Sequence, residues 1–237
     1  MNSKNIIIFI FLLLITATGF SQKRSKRAKN VILMVGDGMG VAQIYAGLTA
    51  NHGKLNLEQC TSIGFHKNTA SDNYVTDSAA GATAFACGQK TYNGAIGVDA
   101  NGNPLPTILE IAERNGVATG LVATCSITHA TPASFISHQP SRSLDENIAL
   151  DFLKTDVDVF IGGGRKFFNQ RTDGKNLFDS LKNRGYQIAN SITEVQQITS
   201  GKLAAFLAEE QQGKFSAGRG DELVKSTETA LQLLKNK

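Results

Sequence analysis

The 237-residue chain contains no tryptophan, four prolines, three cysteines and four histidines, and each scarcity excludes something. Without Trp, and with aromatics at only 7% of residues, there is little from which to build a base-stacking surface, so no nucleic-acid binding is expected. Cys60, Cys87 and Cys125 are too few for a disulfide scaffold. Their apolar or small neighbours predict buried free thiols. No CxxC spacing offers a thiolate metal site. Gly36, Gly38 and Gly40 run G-x-G-x-G, and Val41 follows where a dinucleotide fingerprint continues differently. Neither "GKFSAGRGD" nor "GATAFACGQKT" ends in the Gly-Lys-Ser/Thr of a phosphate-binding P-loop. Ser78 is not framed by G-x-S-x-G, and no histidine follows His138.

Long hydrophobic runs are also scarce. The one unbroken run, Ile6–Ile15, follows Lys4 and precedes the small-residue stretch "TATGFSQ". That order predicts a signal peptide over residues 1–21, cut before Gln22, and an exported protein, periplasmic or secreted. An uncleaved anchor is the competing reading, but the run falls short of the ~20 apolar residues that span a bilayer. No stable membrane anchor is expected after cleavage. The formal charge is +4 at pH 7. Lys4 carries one positive charge and the run "KRSKRAK" five, which leaves −2 from Asn30 onward. Residues 22–29 therefore read as a solvated basic tail, and residues 30–237 as one mildly acidic domain.

Within that domain, apolar runs alternate with helical patterns. "NVILMVGDG", "ATGLVATC" and "DVDVFIGGG" are short, nearly continuous apolar segments ending in polar residues or glycine. Such strands, separated by helices, predict an α/β three-layer sandwich: a mostly parallel central sheet with helices on both faces. "LPTILEIAERNG" reads as a helix stopped by Gly116. "SLDENIALDFLKT" reads as a second, with Ser143 as N-cap and Glu146 completing a capping box. "GDELVKSTETALQLLKNK" is a third. The loosest stretch is Glu209–Gly220.

Four segments carry candidate chemistry. Asp37 sits in "VGDGMG" at a strand's C-terminal end, where parallel sheets bind ligands; it is either a hard oxygen ligand for a divalent cation or a turn residue. Ser78 opens a helix poor in side-chain bulk, "SAAGATAFAC", whose free N–H groups suit an anion. The plainer reading is that Ser78 or Asp77 is only an N-cap. In "THATPASFISHQPSR", His129 and Thr131 lie two apart, close enough to share a metal or its waters. Arg142 offers a planar fork for phosphate, or an ordinary salt bridge, and His138 reads as a surface residue. The triple glycine of "DVFIGGGRKFF" marks a sharp turn, a close approach or a phosphate nest.

Taken in order, "VILMVGDGMG", "VTDSAAGATAFACGQKTYNGAIGVD", "THATPA", "SR" and "DVFIGGGRKFF" resemble the alkaline phosphatase family from about Asn30 to Phe168. The resemblance implies zinc and magnesium as cofactors. It implies hydrolysis of phosphate monoesters to an alcohol and inorganic phosphate through a phosphoserine on Ser78. Asp37 matches an aspartate bridging a zinc and the magnesium site, Ser78 the metal-coordinated nucleophile, and Thr131 a magnesium ligand. His129 takes a place where some members have an aspartate ligand; a histidine there either ligates metal or holds a metal-bound water. Arg142 matches the arginine that grips two phosphate oxygens, and Asp77 the residue that orients it. The implied mechanism is a two-metal clamp on the attacking and leaving oxygens. Homodimers are the assembly the resemblance implies.

The chain also departs from that pattern. The family draws most zinc ligands from Asp and His residues in its second half, and a magnesium glutamate from beyond the next core strand. Those ligand motifs are missing here, and no histidine follows Arg142. Asp37 and Ser78 would hold zinc almost alone, although a catalytic zinc usually has three protein ligands. The expectation is a truncated chain of weak or absent activity whose full-length parent is a phosphatase. Two alternatives stay open: a phosphodiesterase or sulfatase of the wider superfamily, and a non-catalytic phosphate- or metal-binding fragment. Against a sulfatase, Ser78 is followed by Ala-Ala-Gly instead of x-Pro-x-Arg.

Overall fold

The computed structural model describes residues 28–235. The signal peptide and all but two residues of the basic tail expected from the sequence lie outside the described residues. The chain divides into two compact units, up to Gly36 and from Asp37 onward. In the first, the run expected to form a strand does not: residues 31–35 carry no strand structure, and their side chains are 41–86% exposed. An apolar run becomes a strand only when a neighbour pairs its N–H and C=O groups.

The second unit begins with α1 (Val41–Ala50), none of whose residues is buried. A short 3₁₀ turn, Asn56–Gln59, follows. Then come α2 (Ser78–Cys87), α3 (Ile108–Arg114), β1 (Gly120–Ser126), α4 (Ala130–Ala133) and α5 (Asp145–Asp151). The remainder is β2 (Val159–Gly163), α6 (Lys166–Asn169), α7 (Leu177–Asn183), β3 (Tyr186–Ala189), α8 (Ile192–Gln197), β4 (Lys202–Phe206) and α9 (Glu222–Lys235). The four strands form one sheet in the order β1-β2-β4-β3, every pair parallel.

Both faces of the sheet are covered, as the apolar strands require. Along β2, Phe160 points to one face while Val159 and Ile161 point to the other; along β4, Ala204 and Phe206 alternate with Leu203 and Ala205. The first face packs against Ile148 and Ala149 of α5, Phe168 of α6 and Leu177 and Leu181 of α7. The second packs against Val195 of α8 and Ala230 and Leu233 of α9. Phe160 lies at the centre of an aromatic cluster, with ring centroids 4.8 Å from Phe152, 5.5 Å from Tyr186 and 5.9 Å from Phe206. The result is the three-layer α/β arrangement.

Local signals were met with some exceptions. Thr107 caps α3 and Glu110 closes a capping box with it, while Gly116, at φ 71°, follows the helix end. At α5 the residue before the helix is Leu144, with no side-chain cap. Ser143 instead bonds Ser141, and Glu146 accepts from Thr172 N and Oγ1 at 2.8 and 2.7 Å, so tertiary contacts took both members of the expected box. The triple glycine serves close packing: a Cβ at Gly163 would lie 2.1 Å from Glu210 O, and one at Gly164 2.2 Å from Ser126 Oγ. Cys60 is exposed, while Cys87 and Cys125 are partly buried free thiols. Burial pushes both of these thiols up to about 11.

His138 is not the surface residue its sequence context suggests. Its Nδ1 donates to Gly97 O at 2.6 Å and its Nε2 stands 2.9 Å from Glu110 Oε1. The segment around it is held by Asp151, which is only 2% exposed. Asp151 Oδ2 accepts from Ser137 Oγ at 2.6 Å, His138 N at 3.2 Å and Gln139 Nε2 at 2.7 Å, and Oδ1 pairs with Lys154 at 2.6 Å. Burial alone would raise this carboxyl. The Lys154 ammonium and the three other donors outweigh it and hold the group below its ordinary 3.8.

Two outcomes follow. Phe160→Ala should destabilise the fold by about 3–5 kcal/mol, read by urea titration, because it opens a cavity within the aromatic cluster. A carboxyl whose folded pKa is depressed adds stability that is complete above 3.8 and is lost as pH falls through the folded value. Asp151→Asn should therefore lower the urea midpoint at neutral pH and flatten its decline toward acid pH.

Candidate active site

The site assembles where α2, α4 and the loop before α5 converge on Asp37. The α2 helix begins at Ser78 because Asp77, in extended conformation, acts as its N-cap: Oδ1 accepts from Ala80 N at 2.9 Å. That separates two readings left open by the sequence, since Asp77 is the cap and Ser78 the first helical residue. Ala79, Ala80, Ala82 and Ala86 are buried, so their small side chains let α2 lie close against α4.

Ser78 Oγ stands 3.0 Å from Asp37 Oδ1 and 3.1 Å from Oδ2. Thr131 Oγ1 donates to the same Asp37 Oδ2 at 3.0 Å. Two hydroxyls from separate segments thus converge on one carboxylate. A carboxylate and two hydroxyls are oxygen donors of the kind a magnesium ion accepts while keeping several waters. The same set does not fit a catalytic zinc, which usually takes three protein ligands. Among the described residues, no group of three or more His, Cys, Asp and Glu could hold a metal.

The second half of the site is a clamp on Arg142. Its Nη1 donates to Asp77 Oδ2 at 3.1 Å and its Nη2 to His129 Nε2 at 3.1 Å. A guanidinium has only donors, so His129 Nε2 is the acceptor and the ring carries its proton on Nδ1. Nδ1 is buried without a hydrogen-bond partner. Burial, helped by the Arg142 charge and opposed by Asp37 and Asp145, pushes the His129 imidazole below 6.5 and favours this neutral form. Burial likewise opposes the Asp77 charge, but the Ala80 amide, Arg142 and the Gly94 amide prevail and hold its carboxyl below 3.8. Arg142 is therefore a paired cation, 31% exposed, with donors left for an anion.

All six residues singled out in the sequence lie in this one constellation. Several supporting residues were missed. Thr128, fully buried, donates to Asp145 Oδ1 at 2.5 Å beside His129. Gln211 and Gln212, from the stretch read as loose, repair an irregularity in β1: Gln211 Oε1 accepts from Ser126 N at 3.0 Å and Gln212 Nε2 donates to Ala123 O at 2.8 Å. No local pattern marks those glutamines. Asn93 and Gly94 were also passed over, although Asn-Gly is a turn signal in its own right.

A family model described as alkaline phosphatase matches residues 28–237. The chain is 41% identical over 183 residues to alkaline phosphatase 4 of Bacillus subtilis, a match covering 70% of this chain and 39% of that enzyme. It superposes on the alkaline phosphatase of the Antarctic bacterium TAB5 with a TM-score of 0.86 and 43% identity, over 90% of this chain and 63% of that one. A mutant of the TAB5 enzyme, with a histidine replaced by aspartate and Mg bound in its M3 site, aligns with a TM-score of 0.83 and 41% identity, over 88% of this chain and 61% of that one. The chain thus spans about two-fifths of the curated Bacillus relative and less than two thirds of the solved enzymes. With the family model matching residues 28–237 and 90% of the chain superposing on a solved enzyme, this chain belongs to the alkaline phosphatase family.

Proposed function

We propose that the constellation around Ser78 is the phosphoryl-binding and phosphoryl-accepting part of a phosphomonoester hydrolase. The observation that carries this reading is the pairing of Ser78 Oγ with Asp37 on one side and the Asp77–Arg142 ion pair on the other. A phosphate monoester would place two of its oxygens on the Arg142 fork. Ser78 Oγ would then bond to phosphorus as the ester P–O bond breaks, releasing the alcohol and leaving phosphoserine. Water would later cleave that intermediate to inorganic phosphate. The hydroxyl proton already points at Asp37, which leaves the Oγ lone pairs free, and α2 turns the positive end of its dipole toward the anion. Arg142 compensates charge that stays on the transferred group throughout.

Asp37 and Thr131 are the residues that would hold magnesium, in keeping with the Mg-binding of the TAB5 mutant. A divalent cation bound there would lower the pKa of nearby oxygens and stabilise charge on the phosphoryl group. Zinc, implied by the family resemblance, finds only Asp37 and Ser78 among its expected ligands here, with His129 Nε2 engaged by Arg142. Export to the periplasm or outside the cell fits the apolar run Ile6–Ile15, and among the described residues no helix is long and apolar enough to cross a membrane.

A non-catalytic phosphate-binding module is favoured by one observation, the oxygen-only donor set. The two readings separate by experiment. The chain is incubated with a chromogenic phosphate monoester, zinc and magnesium, then quenched at mildly acidic pH and digested. The phosphatase reading expects a phosphoryl mass increment on the Ser78 peptide, absent in Ser78→Ala. Phosphate bound without any phosphoserine would favour the module. Robust turnover at alkaline pH, abolished by Ser78→Ala, would show that this donor set suffices.

A further inference from the structure

We propose that the Asn93–Gly94 turn is the positioning element that sets Ser78 against Arg142, with Asn93 as its positioning residue; the inference rests on the phosphoryl-binding reading above. Asn93 holds the segment that delivers the nucleophile. Its Oδ1 accepts from Asp77 N at 2.8 Å and its Nδ2 donates to Val75 O at 2.9 Å. In an extended chain a C=O and the N–H two residues on point to the same side, so one amide side chain can pair both as a neighbouring strand would. The chemistry needs a donor and an acceptor on one short side chain, which is what asparagine supplies. Asn93 N adds a third tie, to Asp72 Oδ1 at 3.0 Å.

Gly94 carries the connection to the arginine. Its N–H donates to Asp77 Oδ2 at 3.0 Å and its C=O accepts from Arg142 N at 2.7 Å. Arg142 Nη1 returns to the same Asp77 Oδ2, so Gly94, Arg142 and Asp77 form a closed ring of contacts. The turn needs φ +89° at Gly94, a region that only glycine enters readily. Tyr92 Oη reinforces the link by donating to Pro140 O at 3.1 Å. The nucleophile strap and the arginine loop are distant in sequence, and this turn touches both.

The test measures binding of inorganic phosphate to the full chain by calorimetry, in wild type, Asn93→Ala, Arg142→Ala and the double variant. Asn93→Ala should weaken phosphate binding about 10-fold, the scale of one lost hydrogen bond acting on a charged site. The double variant should bind no more weakly than Arg142→Ala alone, because Asn93 acts through the placement of Arg142. Amide exchange at Asp77, followed by NMR, should accelerate in Asn93→Ala without a matching change in the β2 amides. If Asn93→Ala fails to fold, Gly94→Ala takes its place with the same expectation, since its Cβ would meet nothing within 4 Å and only the backbone angle is disturbed. Equal losses in both Arg142 backgrounds, or no loss, overturn the positioning role. A wild-type chain that binds no phosphate overturns the functional reading itself, and this inference with it.

Discussion

Asp77 accepts N–H donors from three parts of the chain: Ala80 at the start of α2, Gly94 in the turn that follows that helix, and the Arg142 guanidinium. A single carboxylate therefore starts the helix that presents Ser78, anchors the loop beside it and holds the cation facing it. Its burial is unfavourable for a charge, and the three donors are what make the charge tolerable. Charge-assisted hydrogen bonds are shorter and stronger than neutral ones, which suits a group that must fix distances. The remaining geometry follows from this hub, because neither Ser78 nor Arg142 can shift without disturbing it.

The hub would be of little use on a pliable scaffold. The sheet provides rigidity by burying both faces, with Phe160 and Phe206 on one and Val159, Ile161 and Leu203 on the other. The β1 strand leads directly into the turn that presents His129 and Thr131, so side chains at the strand's end inherit its position. Two glutamines from beyond β4 hold the irregular stretch of β1 where its ladder is interrupted. Supporting polar contacts of this sort matter because a site displaced by even about 1 Å loses much of its effect.

Much of this was legible in the residue order. Alternating apolar runs and amphipathic stretches pointed to a parallel α/β sandwich, and β1, β2, α3 and α9 lie where the patterns placed them. The site residues were marked by chemistry at particular positions: an aspartate after an apolar run, a serine opening a small-residue helix, a histidine and a threonine two apart, an arginine whose planar fork suits phosphate. Other features were illegible for stated physical reasons. Ser143 and Glu146 match a capping box in sequence, but Ser141 and Thr172 compete successfully for their side chains. The glycines at 162–164 equally suit a nest and a close chain approach, and only the position of Glu210 and Ser126 decides between them. His138 has no polar neighbour in sequence that announces Glu110 as its partner.

Sequence by itself determined many local choices: that β1, β2, α3 and α9 form where they do, and which side chains have the chemistry to bind an anion or a cation. Those depend on backbone propensity and on short-range contacts, which adjacent residues control. Only the tertiary structure decided that Asp37, Ser78 and Thr131 meet, and that Arg142 is held between Asp77 and His129. It also decided that an Asn-Gly turn ties the two halves together. These contacts join residues far apart along the chain. Their geometry is set by how the sheet and helices pack, a long-range outcome that no local pattern encodes.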